Sequence, residues 1–335
     1  MRKHKQQQQQ RTPWRRLKWC VGLIGCVVIS LAMIQWYRDI LHAQELQHST
    51  IANPTTKSVP HFVETNTNTT RIYNFPGLSN PTKTNPILIY ITTHWNDYHA
   101  NFMIHCWPEA VRHSRLLQHA DVAIFATPNH KLRAKYLRKQ LPTLASIFES
   151  TNLTIYDYKG AAATGMGYDR KHTGAILALS EAETHGYFAP YEWVIRLNPD
   201  VLIQDDEWFL DIMLDNKNQD LTKPSLLYVA CHFNRTFNDD IHTDFFALRP
   251  SALPPGALTN IHVSDTRKVA AEPALTNAVR HLLASNRTSL AVPGATHQYP
   301  GGCRVVGTTV HHFHNDMGKD LVCPAKFRHT RRDVV

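Results

Sequence analysis

The chain has 335 residues, 43% of them hydrophobic, and a formal net charge of +9. Residues 1–18 hold seven Lys or Arg (Arg2, Lys3, Lys5, Arg11, Arg15, Arg16, Lys18) and no acid, which leaves only +2 for the rest of the chain. The basic balance is a property of the tail, and the composition argument for nucleic-acid binding falls with it.

The tail also carries the polyglutamine run Gln6 to Gln10, which reads as disordered spacer. Trp19 to Tyr37 is an apolar segment of 19 residues, enough to cross a bilayer at about 1.5 Å per residue. Trp14, Trp19, Trp36 and Tyr37 stand at its ends as interface anchors, and the positive charge before it predicts a cytoplasmic N-terminus. A cleaved signal peptide is the alternative; the apolar core is longer than the usual ~7–15 residues of such a region, and no clear small-x-small site follows Ser30. The expected topology is a single-pass signal anchor at 19–37, with everything after residue 38 lumenal or extracellular.

Residues 38–85 are rich in Thr, Asn, Ser, Pro and Gln, lack apolar periodicity and read as a stem. Asn68-Thr69-Thr70, Asn152-Leu153-Thr154, Asn234-Arg235-Thr236 and Asn286-Arg287-Thr288 are glycosylation acceptor patterns, which fit a secretory-pathway domain. Of six cysteines, Cys20 and Cys26 lie in the apolar segment; Cys106, Cys231, Cys303 and Cys323 could form two disulfides in any of three pairings. Their spacing is too wide for a zinc knuckle.

The folded domain is expected over residues 86–330, starting where apolar periodicity begins at Ile87, with enough chain for one sizeable core. Strand-like runs alternate with helical ones: Ile87 to Thr92 and a helical Tyr98 to Gln118, Val122 to Ala126 and a helical Lys131 to Gln140, Leu153 to Tyr158 and a helical Asp169 to His185. In the last helix Ala175, Ile176, Leu179 and Ala182 share a face, and Gly186 is placed as its stop. This order is that of βαβ units and an α/β fold with a mostly parallel sheet.

Trp193 to Leu197 then reads as a buried strand, broken by Asn198-Pro199-Asp200, since proline cannot donate to a central ladder. Ligands of open α/β sheets bind beyond the carboxyl ends of strands, so Asn198 and Asp200 are expected to project from that rim; a plain turn is the competing reading. Further on, Asp205 or Asp206 can cap a helix to Leu214, Leu226 to His232 and Thr243 to Leu248 read as strands, and Glu272-Pro273 opens a helix to Leu283. Arg304 to Val310 is strand-like and runs into His311-His312-Phe313-His314. The Asp200 rim, the segment His242-Thr243-Asp244 and these histidines are expected to converge. One carboxylate with imidazole nitrogen is a partial shell for manganese or magnesium, and the expected ligands are Asp200 with His312 or His314. Alternation sets His311 on the opposite face. No His-Glu-x-x-His helix is present.

A short tail, an anchor, a stem and an α/β domain with an acidic motif closing a central strand resemble a Golgi type II glycosyltransferase of the GT-A fold. The motif Arg196-Leu197-Asn198-Pro199-Asp200-Val201 occupies the place of that fold's Asp-x-Asp signature and is similar to the Glu-Pro-Asp-Val variant of fungal α-1,2-mannosyltransferases. Thr243-Asp244-Phe245-Phe246-Ala247-Leu248-Arg249-Pro250 resembles the strand facing the acceptor in many such enzymes. The resemblance implies a GT-A domain with a mixed central sheet, a nucleotide-diphosphate sugar donor bound near Asn198 and Asp200, Mn2+ or Mg2+, and a glycan or glycoprotein acceptor. It departs at Asn198, an amide where the family has a carboxylate. Without a metal, Arg170 and Lys171 are the cations placed to offset charge on the leaving diphosphate. Asp244 or Glu272 would serve as base in an inverting reaction, whereas a retaining one needs none.

Two other classes compete. A sulfotransferase needs a phosphate-cradling loop after its first strand, and Thr93-His94-Trp95-Asn96-Asp97 offers neither glycine nor lysine. A non-catalytic, membrane-anchored lectin-like or adhesion protein on the same fold is the alternative that donor binding separates.

Overall fold

The computed structural model describes residues 62–67, 70–77, 85–128, 131–159, 171–214, 224–231, 240–261, 271–284, 288–293, 295–296 and 306–313. The chain divides into two units, Met1–Ser58 and Val59–Val335, and every described residue belongs to the second. The segment 19–37, Arg170, His314, Cys303, Cys323, Asn68, Asn234 and Asn286 lie outside the described residues, and only the backbone of Lys171 is described. Among the described residues no helix is long and apolar enough to cross a membrane.

The chain opens with β1 (Val63–Asn66) and β2 (Thr70–Phe75), followed by β3 (Ile87–Thr93), α1 (Asp97–His105), α2 (Trp107–His113), β4 (Ala120–Ala126), α3 (Lys131–Ile147) and β5 (Leu153–Tyr158). After α4 (Lys171–Thr184) come β6 (Trp193–Leu197), β7 (Val201–Ile203), α5 (Asp206–Leu214), β8 (Leu226–Cys231) and β9 (Asp240–Leu248). The last elements are α6 (Ala271–Ala278), α7 (Arg280–Leu283), β10 (Ser289–Ala291), β11 (Ala295–Thr296), β12 (Val306–Gly307) and β13 (Val310–His312).

Among the described residues nine strands form one mixed sheet in the order β1-β2-β5-β4-β3-β6-β9-β8-β10. The central strands β5, β4, β3 and β6 run parallel, and β2 and β9 flank them antiparallel. Every residue of β3 and β4 is buried, as a parallel strand covered on both faces requires. Alternation divides β3 between two cores: Ile87, Ile89 and Ile91 pack with Phe102, Met103, Leu137, Leu144 and Phe209 from α1, α3 and α5, while Leu88 and Tyr90 face Ile176, Leu179 and Leu275 from α4 and α6. The result is the three-layer α/β arrangement expected of alternating strands and helices.

Several expectations are corrected. Residues 63–75, assigned to the stem, form a hairpin that completes the sheet beyond β5; Tyr73 and Phe75 are buried, with Phe62 against both rings at 5.8 and 5.5 Å. The folded region therefore begins before Val63, well ahead of residue 86. β2 pairs antiparallel with β1 on one side and with β5 on the other, and β5, which ties the hairpin to the sheet, lies some 80 residues away, beyond the reach of any local signal.

The expected single helix over 98–118 is broken at Cys106 because Pro108 opens α2, where a missing N–H costs nothing. Conversely, α3 continues past Pro142 to Ile147, held down by buried Leu141, Leu144 and Ala145. The strand expected at 304–310 is interrupted between β12 and β13. Asp205 caps α5 by accepting the Trp208 N–H at 3.4 Å; buried Asp206 instead accepts backbone N–H groups of Arg115 and Leu116 at 2.6 and 3.0 Å.

Other readings hold. α4 ends at Gly186, whose φ of 69° and flanking bonds, Gly186 N–H to Glu183 C=O and Tyr187 N–H to Ala182 C=O, make a Schellman stop. The acceptor reading of Asn152-Leu153-Thr154 does not hold in the same way: the half-buried Asn152 side chain is built into the fold, accepting from Gly77 N–H at 3.0 Å and donating from its amide nitrogen to Asp121 at 3.0 Å.

Candidate active site

β4 and β5 follow β3 on one side of the sheet and β6 lies on its other side, so the chain direction reverses between β3 and β6. At such a switch point the loops leaving the two strands part, opening a crevice beyond their carboxyl ends. The structure has a cavity of about 180 Å³ there. Thr92, Thr93, His94 and Asn96 line it from the end of β3, Thr127 from β4, Arg196 and Asn198 from β6, Thr243 and Asp244 from β9, Glu272 from α6 and His312 from β13.

The β3 side is tightly held. Buried Trp95 has a φ of +49°, a left-handed conformation costly for an aromatic residue, and its N–H donates to Thr93 Oγ1 at 2.9 Å. Asn96 caps α1 by accepting the His99 N–H at 2.7 Å. His94 Nδ1 lies 3.2 Å from Thr127 Oγ1, and Gly174 of α4 leaves the room: a Cβ there would come within 2.6 Å of the His94 ring.

The Asn-Pro-Asp step is both a turn and part of the rim. Val201 N–H donates to Asn198 C=O at 3.1 Å, and Trp107 Nε1–H to Pro199 C=O at 2.7 Å. β7 then pairs antiparallel with β13, which folds the last strand over Asp200. Asp200 is thus fully buried, where a projecting rim carboxylate was expected. Its Oδ2 accepts from His312 Nε2 at 3.2 Å, His99 Nε2 stands 3.9 Å from Oδ1, and its carbonyl accepts the Phe313 N–H at 2.9 Å.

Above this floor lies Asp244, one quarter exposed (24%). Asn198 Nδ2 donates to its Oδ1 at 2.7 Å, Arg196 NH1 is 3.8 Å from the same oxygen, and His312 Nδ1 is 3.4 Å from Oδ2. Its N–H donates to His242 Nδ1 at 3.1 Å. Burial alone would raise the pKa of this carboxyl; the nearby His242, His312 and Arg196 outweigh that and hold it below its ordinary value. Arg196 itself is pulled down from the usual guanidinium range by burial, offset in part by Asp244 and Glu272. Glu272 is buried and accepts from Thr243 Oγ1 at 2.9 Å.

Among the described residues His242, Asp244 and His312 offer ligand atoms that all lie within 4.8 Å of one another. Two imidazoles and one carboxylate fit a transition ion such as manganese better than magnesium, which prefers an all-oxygen shell. Of the residues expected at the site, Asn198, Asp244, Glu272 and His312 come together at the cleft, and Asp200 sits beneath it. His311 points elsewhere, its ring 4.3 Å from that of Phe313, as strand alternation requires. From the sequence, His242 is expected in a segment that converges on the site and Arg196 in the motif, neither with a role of its own, and His94 and His99 are not singled out as site residues. One signal was present: His242 and Asp244 are two apart on a strand and so share a face.

No family profile matches this chain, and no curated protein matches it. Similar solved structures include the glycosyltransferase GlyE of Streptococcus pneumoniae TIGR4, at 8% identity and a TM-score of 0.37 over 64% of this chain and 46% of GlyE, so that the chain spans under half of that protein. Mouse xyloside xylosyltransferase 1 is similar at 10% identity and a TM-score of 0.43, over 70% of this chain and 99% of its own. The mannosyltransferase PcManGT of Pyrobaculum calidifontis, solved with GDP-Man and Mn2+, is similar at 12% identity and 0.39, over 65% and 57%. At these identities and scores no residue role is carried over from them.

Proposed function

We propose that this chain is a glycosyltransferase of the GT-A type that moves a sugar from a nucleotide-diphosphate donor to a hydroxyl of a glycan or glycoprotein. The observation that carries the reading is the cleft at the switch point, where the strained Thr93–Asn96 loop faces a carboxylate–imidazole group suited to a divalent ion. The motif Arg196-Leu197-Asn198-Pro199-Asp200, similar to the signature of that fold, forms the edge between them. His242, Asp244 and His312 would hold Mn2+, which, when bound, offsets charge on the leaving diphosphate.

The chain's own groups divide the remaining work. Thr92, Thr93, His94 and Asn96 line the β3 side of the crevice with hydrogen-bonding groups, which would bind polar groups of the donor. With Asp244 occupied as a ligand, Glu272 is the carboxylate left to take the acceptor's proton in an inverting reaction, oriented by Thr243. Asp200 keeps its place beneath, holding the His312 ring from the far side. In a reaction without metal, Arg170 and Lys171, which precede and open α4 in the sequence, would offset the charge of the diphosphate.

The secretory placement belongs to the same proposal: a type II Golgi membrane protein anchored by residues 19–37 with its domain lumenal. The disulfide at Cys106 supports it, since such bonds persist in oxidising compartments. Calorimetric titration of nucleotide sugars with and without Mn2+, followed by a transfer assay with the donor that binds, tests the function. Binding of one donor strengthened by Mn2+ is the expected result, and a protein that binds none overturns it.

A further inference from the structure

Four polar groups stand in line across the ends of three adjacent strands. Arg196 NH2 donates to Thr92 Oγ1 at 2.5 Å and to Asn198 Oδ1 at 2.9 Å, and Asn198 Nδ2 donates to Asp244 Oδ1 at 2.7 Å. The Asn198 N–H also donates to the Asp244 carbonyl at 3.1 Å, so backbone and side chain of this residue grip the same partner. Arg196 is only 2% exposed, and a guanidinium does not shed its charge at working pH. Burying it on the central strand is costly unless the charge is used.

We infer that Asn198 is a relay and Arg196 a positioning residue, which together fix the Asp244 carboxylate with Oδ1 held at the strand ends and Oδ2 turned toward His312. This deepens the sugar-transfer reading above and rests on it. An amide is suited to the place because its oxygen accepts from the guanidinium while its nitrogen donates to the carboxylate. An ionised carboxylate at position 198 accepts only, and it would set two like charges 2.7 Å apart, which disfavours both. The departure from an acidic residue at this position is therefore a change of role: Asn198 binds the group that binds the ion, and its bond to Asp244 is of the stronger, charge-assisted kind. Arg196 fixes which way round the amide sits, since only the oxygen can face it.

Three variants test this with three readouts: steady-state transfer, Mn2+ affinity by calorimetry and melting temperature. Asn198→Asp is expected to cut kcat about tenfold or more and weaken Mn2+ by a similar factor, with the donor KM within about threefold of the parent. Its melting temperature should fall by about 3 °C. The swapped pair Asn198→Asp/Asp244→Asn sets amide against carboxylate again, so the melting temperature should recover while transfer stays lost. Arg196→Lys keeps the charge without the fork and should lower kcat with KM unchanged. An Asn198→Asp protein that transfers as fast as the parent, or binds Mn2+ more tightly, overturns the relay and makes position 198 a ligand position. So does a swapped pair no more stable than Asn198→Asp alone. Should the parent transfer no sugar from any donor, the sugar-transfer reading falls, and the melting and Mn2+ arms still decide the relay.

Discussion

Asp200 and Asp244 flank a single imidazole ring, 3.2 Å from Nε2 and 3.4 Å from Nδ1 of His312, yet one is fully buried and the other is 24% exposed to the cleft. The floor carboxylate is enclosed by the Asn-Pro-Asp turn, by β13 and by His99 of α1. The wall carboxylate is enclosed on one side by Arg196 and Asn198 and opens on the other to the cavity at the switch point. The same functional group is thus an enclosed anchor in one place and, in the proposed reading, a metal ligand facing the cleft in the other, and the covering strand is what separates the two.

That contrast breaks first if the floor proves dispensable. Asp200→Ala removes the partner of His312 in a buried site, which should cost roughly 3 kcal/mol and lower the melting temperature by about 6–12 °C. Circular dichroism melts check this, and an unchanged melting point would return Asp200 to the surface role the sequence suggests. At the wall, Asp244→Asn keeps an oxygen for Asn198 but loses the charge; transfer should fall on the order of a hundredfold. Its melting temperature should stay within about 3 °C of the parent. His242→Gln sharpens the comparison by testing the wall's second ligand: the Mn2+ concentration for half-maximal activity should rise about tenfold, with no such shift in Trp107→Phe.

Trp107→Phe addresses the Asn-Pro-Asp turn that joins floor and wall. It keeps the ring against Phe148 but deletes the bond to the Pro199 carbonyl, so about 1 kcal/mol and 2–4 °C should be lost, with kcat within about threefold. The smallest effect is in pH. The Asp244 carboxyl is held below its ordinary value, so its contribution to stability is complete above the unfolded value of about 3.9 and is lost as pH falls through the lower folded value. The stability difference between the parent and Asp244→Asn should therefore be present at about pH 5 and shrink below about pH 4. Denaturant unfolding at stepped pH measures it, and a difference that grows on acidification would reverse the assignment.

Much of the scaffold was legible along the chain. β5 runs from Leu153 to Tyr158 and β6 from Trp193 to Leu197, where β-branched apolar runs and the break at Pro199 place them, and Gly186 ends α4 as its type suggests. The rim itself was legible in part: Asn198, Asp244, Glu272 and His312 do meet. The Thr93–Asp97 stretch carried no site reading beyond the glycine and lysine it lacks, although a polar run directly after the apolar run Ile87 to Ile91 marks the loop that lines a switch-point crevice.

By itself, then, the sequence determined which segments are strands and helices near the centre of the sheet, because hydrophobic periodicity, proline and glycine act over a few residues. Only the tertiary structure decided that the hairpin at 63–75 joins the sheet and that Asp200 is buried while Asp244 is not. Those outcomes depend on strand pairings between residues far apart, β2 with β5 and β7 with β13, whose register is set by the packed core as a whole and leaves no mark on either segment alone.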